Sequence, residues 1–90
     1  MSVIHQPSLN QFIYLTDEGQ QGGVLAYRYL SETKIEAFHT KVVPELQGKG
    51  IAGELYNALI AFALQQHLKI KPSCSYVEAK MRRNHSALIG

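Results

Sequence analysis

The chain has 90 residues, of which 46% are hydrophobic and 18% are charged, and its formal net charge is +2. This composition excludes intrinsic disorder, and the scattered basic residues do not form the footprint of a nucleic-acid-binding protein. One cysteine, no signal-peptide pattern and no apolar run near the roughly 20 residues of a membrane span predict a cytoplasmic single domain over residues 1–90, present as a monomer or small homo-oligomer.

The N-terminal half is predicted to form three strands separated by turn signals. The first covers Asn10–Thr16, the second covers Val24–Leu30 after a glycine pair, and the third covers Lys34–Val43. Pro44 ends the third strand because proline cannot donate to a ladder. Regular alternation along this strand places Ile35, Ala37 and His39 on one face, and Glu36, Phe38, Thr40 and Val42 on the other.

The C-terminal half is predicted to be mainly helical. Apolar residues at helical spacing indicate a long, largely buried helix over Gly50–His67. A short fourth strand within Lys69–Ser73 would run parallel to the third, and a second helix would cover Tyr76–Arg83. The fold class is therefore α+β, a compact mixed sheet of about four strands with a long central helix and a second C-terminal helix. Residues 84–90 are left unassigned.

The junction between the third strand and the long helix is rich in glycine and reads Gln47-Gly48-Lys49-Gly50-Ile51-Ala52. Glycines let the backbone approach a phosphate, and the free N–H groups at a helix start point at it with the helix dipole behind them. This arrangement predicts an anion site, with Lys49 at its rim. The segment matches neither a P-loop nor a dinucleotide-binding turn, and a tight connection without any ligand is the simpler alternative.

Gln47, Gly50 and Ala52 match the Q/R-x-x-G-x-G/A motif of the GNAT superfamily of acetyltransferases, which the chain resembles. Two further blocks, residues 38–45 and 69–77, bring it close to the small YjdJ-type single-domain branch. The resemblance implies acetyl-CoA and CoA as ligands and a GNAT-like fold. It also implies that backbone amides of the turn hold the pyrophosphate. These amides belong to Gln47, Gly48, Lys49, Gly50, Ile51 and Ala52.

In the same family the third and fourth strands separate beyond the motif. The resemblance therefore implies that Thr40, Val42 and Val43 pair with the pantetheine arm and that Cys74 and His39 flank the thioester. Cys74 could accept the acetyl group first, with His39 as its base. Alternatively an amine attacks directly, His39 or a water removes its proton, and Cys74 or Tyr76 protonates the departing thiolate.

Simpler roles exist for each of these side chains. Cys74 could be an inert buried residue, His39 a structural histidine and Tyr76 a packing residue. The other histidines, His5, His67 and His85, show no ligand spacing, so no metal site is expected.

The acceptor is the least defined part of the prediction. Ninety residues leave no room for the additional elements that build an acceptor pocket in larger GNAT enzymes, so this site would be open, supplied by a partner or absent. The seven acidic residues are dispersed along the sequence. This spacing favours a lysine on a protein over a small polyamine. The alternative function is a CoA-binding or interaction module without turnover.

Overall fold

A computed structural model describes residues 2–90 and confirms the α+β class. In chain order the elements are β1 (Ser2–Gln6), β2 (Gln11–Leu15), β3 (Gln21–Ser31), β4 (Lys34–Val42), α1 (Ile51–Gln66), β5 (Lys69–Pro72) and α2 (Ser75–Asn84). The strands lie in the order β1-β2-β3-β4-β5 in one sheet. Neighbours are antiparallel except β4 and β5, which are parallel, so the predicted mixed sheet is confirmed.

The sheet has one strand more than the sequence predicted. β1 pairs with β2 along its whole length, with Ile4 opposite Ile13. Its two apolar residues, Val3 and Ile4, are adjacent in the sequence, so no period-two pattern marks this segment as a strand. The pairing with β2 supplies the stability that the local pattern does not indicate.

β3 begins at Gln21 and so includes Gly22 and Gly23, which were predicted to precede it. A Cβ atom at Gly23 would lie only 3.3 Å from Ile51 Cγ2 and from Leu55 Cδ1. Gly23 therefore lets the first turns of α1 lie close against the sheet. That close approach fixes the position of the junction between β4 and α1.

Both helices cover the same face of the sheet. One core cluster joins inward residues of the strands to those of α1 and α2, with these central members: Leu25, Ile35, Leu55, Leu59, Ile70, Val77 and Met81. The hydroxyl of buried Tyr56 on α1 lies 2.6 Å from His85 Nδ1 just after α2, which ties the two helices together. Within residues 2–90, no helix covers the opposite face.

A β-bulge at Phe38 changes the predicted faces of β4. Ala37 lies opposite Tyr27 and His39 lies opposite Ala26, so Phe38 is an extra residue in the ladder. Thr40 lies opposite the core residue Leu25, on the helix-covered face. The prediction that His39 shares a face with Ala37 was therefore wrong, because regular alternation takes no account of a bulge.

The ends of the helices lie close to the predicted ones. Gly50 and His67, the predicted terminal residues of the first helix, are its N-cap and C-cap. The unassigned tail forms a 3₁₀ turn over Ser86–Leu88. Gly90 N–H then donates to Ile70 O at 2.9 Å, beside the outer edge of β5. No helix within residues 2–90 is long and apolar enough to cross a membrane.

Candidate functional site

The glycine-rich turn after β4 presents a free helix start. Gly48 and Gly50 have φ angles of 82° and 81°, the left-handed region that favours glycine, and Gly50 is the N-cap of α1. No side chain caps this helix, so the N–H groups of its first turn are available to a ligand. Gln47 turns back and donates from Nε2 to Val42 O at 3.1 Å, which closes the turn onto the end of β4.

A cavity of about 260 Å³ opens in front of this helix start. Most of its lining comes from the glycine-rich turn and the start of α1, and one residue comes from α2. The lining residues are Val42, Leu46, Gln47, Gly48, Gly50, Ile51, Ala52, Gly53 and Tyr76. Positions 48 and 50 face open space, since a Cβ atom at either would meet nothing within 4 Å. The cavity therefore combines room, backbone donors and the positive end of a helix dipole, which together suit an anion.

β4 and β5 separate next to this cavity. Their pairing ends where Ala37 lies opposite Pro72. Ala37 O then accepts from both Ser73 N–H and Cys74 N–H, each at 3.0 Å, and the chain turns away into α2. Within the described residues, the rest of β4 pairs only with β3. The outer backbone edge of β4 is thus open to a ligand from Phe38 to the glycine-rich turn.

Cys74 lies at the closed end of this separation, as the N-cap of α2. Its thiol is half-buried and donates to Thr40 Oγ1 at 3.3 Å. The first turn of α2 has no side-chain cap, so its free N–H groups would stabilise negative charge on the sulfur. Cys74 and Thr40 therefore lie together where β4 and β5 separate. The sequence had predicted Thr40 beside the pantetheine arm and Cys74, with His39, beside the thioester.

His39 does not join this group. The bulge at Phe38 directs it to the face opposite Thr40, where it is exposed. The thiol of Cys74 is bonded to Thr40, so the arrangement supplies no His39–Cys74 pair for deprotonating the sulfur. His39 lies beside the separated strands, on the face of the sheet that no helix of residues 2–90 covers.

Comparison with known proteins assigns this architecture to a family. A family model described as GCN5-related N-acetyl-transferase matches residues 11–88. The chain belongs to this GNAT family.

The relatives agree in both sequence and fold. Protein NATD1 of Xenopus tropicalis is 28% identical over 82 residues, which cover 91% of this chain and 75% of the relative. The solution structure of a GCN5-like protein from Staphylococcus aureus has a TM-score of 0.73 at 28% identity, covering 94% of this chain and 81% of the other. A GNAT family acetyltransferase from Elizabethkingia anophelis, solved with acetyl-CoA bound, has a TM-score of 0.65 at 15% identity and covers 83% and 51% respectively.

Tyr76 lines the cavity at the start of α1, although the sequence favoured a packing role. It lines the cavity, and its hydroxyl lies 3.7 Å from the point that a Cβ atom of Gly53 would occupy. Burial, followed by the charge of nearby Cys74, raises the pKa of Tyr76, so the hydroxyl stays neutral and can donate a hydrogen bond. Its place in the first turn of α2, two residues after Cys74, was the sequence signal for this role.

Glu36 is a residue for which the sequence indicated no role near the site. Its carboxylate is buried on the uncovered sheet face and accepts from Arg28 Nε at 2.6 Å and from Ser73 Oγ. The hydrogen bond from Ser73, then that from Arg28, lowers the pKa of Glu36, so the carboxylate is charged at neutral pH. Because Ser73 directly precedes Cys74, this network fixes the point where β4 and β5 separate.

The histidines outside the site lie apart from one another. Within residues 2–90, no group of three histidine, cysteine or acidic side chains could hold a metal ion. His5 and His85 are instead bonded to Tyr27 and Tyr56.

Proposed function

We propose that the protein is an N-acetyltransferase that moves acetyl from acetyl-CoA to an amine. The observation that carries the proposal is a continuous path on this GNAT fold. The path begins at the N-terminus of α1, which no side chain caps, follows the open edge of β4 and ends at Cys74. Family membership supplies the reaction class, and this path supplies the place for it.

The residues present fit the ligand. The free N–H groups at the start of α1, in front of a cavity of about 260 Å³, suit the pyrophosphate. Lys49, predicted at the rim of this site, lines a neighbouring cavity, so backbone groups carry the binding. The unpaired edge of β4 offers the pantetheine amides the backbone groups of Thr40 and the N–H of Val42, since Val42 O accepts from Gln47. Val43 does not extend this contact, because its N–H donates to Gly22 O and its O accepts from Leu46 N–H. Acetyl-CoA supplies an acetyl group activated as a thioester.

In the first of two routes, Cys74 is acetylated. The sulfur of Cys74 attacks the acetyl carbonyl carbon, forming a new carbon–sulfur bond while the bond to the CoA sulfur breaks. The proton lost by Cys74 ends on the departing thiol, and the neutral hydroxyl of Tyr76 donates a hydrogen bond to that sulfur as charge develops. An amine then attacks the acetyl carbon, and the carbon–sulfur bond to Cys74 breaks. The nitrogen loses a proton to solvent and the sulfur takes one from solvent, which restores the Cys74 thiol.

In the second route the amine attacks directly. It approaches from the uncovered face of the sheet, where exposed His39 takes its proton. The Tyr76 hydroxyl donates a hydrogen bond to the departing CoA sulfur, as in the first route. The first route is supported by the position of Cys74 at a free helix start, and the second by the position of His39 on the accessible face.

We infer that the acceptor is a lysine on a protein or peptide. Phe38 and His39 are exposed on the uncovered sheet face beside the separated strands, so an extended chain could reach this point, and a peptide backbone can supply the contacts that orient its own lysine. Assignment to the small YjdJ-type branch, a cytoplasmic location, one domain over residues 1–90 and a monomeric or small homo-oligomeric state stay predictions.

A CoA-binding module without turnover is the second candidate. The bond from Cys74 to Thr40, with no base on the sulfur among the described residues, favours it. Release of CoA in the presence of lysine peptides separates the two functions, since a module would bind acetyl-CoA and release none.

The binding site is tested by thermal unfolding with CoA. A ligand at a hundred times its Kd stabilises the folded state by about 2.7 kcal/mol, which raises the Tm of a domain this size by about 10 °C or more. Gly50→Asp places a carboxylate where the pyrophosphate binds and should abolish the shift. Gly19→Asp is the matched control, because Gly19 also has a φ of 81° and open surroundings but lies outside the lining of the ligand cavity. A full shift in folded Gly50→Asp would refute the site.

A further inference from the structure

A second cavity lies on the other side of the start of α1. Its volume is about 270 Å³, and it shares Leu46 and Ile51 with the ligand cavity. Three of the seven acidic residues line it, with these members: Asp17, Glu18 and Glu54. The acidic residues that look dispersed in the sequence are therefore partly gathered, because the turn after β2 packs beside the first turn of α1.

Tyr14 also lines this cavity, and its hydroxyl has no hydrogen-bond partner within residues 2–90. The residue is only 4% exposed and lines the cavity, yet its hydroxyl makes no hydrogen bond within residues 2–90. Every fully buried side-chain nitrogen or oxygen in that part of the chain has a partner. The Tyr14 hydroxyl must therefore reach solvent, and the cavity that it lines is where solvent meets it.

The charges around this hydroxyl are predominantly negative. Burial, then the charges of Glu54 and Asp17, raises the pKa of Tyr14, so the hydroxyl is neutral and both carboxylates lie near it. Asp17 takes part in another interaction, whereas Glu18 and Glu54 form no ion pair or side-chain hydrogen bond with residues 2–90. Lys49 lines the same cavity but forms no ion pair with them in this part of the chain.

We propose that this cavity binds the ammonium group of a small aliphatic amine, with the carboxylates of Glu18 and Glu54 and the hydroxyl of Tyr14 as its acceptors. The volume corresponds to about nine water molecules, enough for a five-carbon diamine. This amine is not the acetyl acceptor, since the cavity lies beside the start of α1, whereas Cys74 lies at the other end of the ligand path. The site does not depend on acetyl transfer.

Its position predicts coupling to CoA. An ammonium group on one side of the start of α1 attracts a pyrophosphate on the other, so each ligand should strengthen the binding of the other by the same factor. This reciprocity distinguishes a site in the second cavity from diffuse attraction to the protein surface.

The test is calorimetric titration of 1,5-diaminopentane into the full chain at low salt, with 1,5-pentanediol as the neutral control. We expect millimolar binding of the diamine and none of the diol. Glu54→Gln and Glu18→Gln should each weaken binding about two- to fivefold. Glu32→Gln, which removes the same charge from an exposed turn outside the cavity, should leave it unchanged. Equal weakening in Glu32→Gln, or no diamine binding by wild type, would overturn the proposal.

Two further variants sharpen the result. Tyr14→Phe removes a hydroxyl without a protein partner, so the variant should keep its Tm while losing diamine affinity; unchanged affinity would contradict the assignment. Lys49→Gln removes a like charge and should strengthen diamine binding while weakening CoA. If wild type binds no diamine and Lys49→Gln does, Lys49 itself occupies the carboxylates and the proposal is wrong.

Discussion

The two ends of the ligand path differ in what they are made of. At the glycine-rich turn the groups offered are backbone N–H groups, and side chains contribute little beyond the Gln47 bond to Val42. At the Cys74 end the groups offered are side chains, the Cys74 thiol and the Thr40 hydroxyl, with the Tyr76 hydroxyl between the two ends. The difference indicates that binding and chemistry can be removed separately, since a side-chain substitution leaves backbone donors in place.

The largest expected effect comes from Cys74→Ala. Incubation of wild type with acetyl-CoA should add one acetyl mass at Cys74, and the variant should lose this adduct completely while keeping the CoA-induced rise in Tm. Intact-mass spectrometry and thermal unfolding measure the two properties. An adduct that persists in Cys74→Ala, or an unmodified wild type, would leave direct transfer as the route.

A smaller loss is expected for Tyr76→Phe. Without a hydroxyl to donate to the departing sulfur, the rate of CoA release should fall about tenfold to a hundredfold. The CoA-induced rise in Tm should change little, because the ring still lines the cavity. Tyr29→Phe, on the exposed part of β3, is the matched control. An equal fall in both variants would remove Tyr76 from the chemistry.

The smallest effect is expected for Glu36→Gln, which weakens the network at the separation of β4 and β5. Its Tm at neutral pH should fall by a few degrees, since Ser73 and Arg28 lose a charged acceptor. The pKa of Glu36 is lowered in the folded state, so its stabilisation is present above the ordinary glutamate pKa and is lost as pH falls through the folded value.

Thermal unfolding from pH 7 down to pH 3 tests this dependence. The difference in Tm between wild type and Glu36→Gln should shrink below the ordinary glutamate pKa of about 4.3. A difference that stays constant over this range would mean that the carboxylate charge plays no part.

The contrast between the backbone groups of the turn and the side chains near Cys74 also explains how much of the site the sequence could predict. Gly48 and Gly50 have a conformation that few other residues adopt, so the turn and its helix start are visible in the sequence itself. The position of His39 depends on a bulge, which arises from the pairing of two strands and has no local signature. Tyr76 and the acidic cavity depend on how α2 and the turn after β2 pack against α1. β1 can be recognised as a strand only from its pairing with β2.

The bulge at Phe38 has a consequence for the length of β4. Ala37, the last residue of β4 paired with β5, directly precedes it, so the sheet opens where β4 carries one surplus residue relative to β3. A chain lacking Phe38 would keep Ala37 opposite Tyr27 and His39 opposite Ala26, in a regular ladder. The extra residue in β4 therefore lies at the point where the two parallel strands part, next to the bonds from Ser73 N–H and Cys74 N–H to Ala37 O that turn the chain away from the sheet.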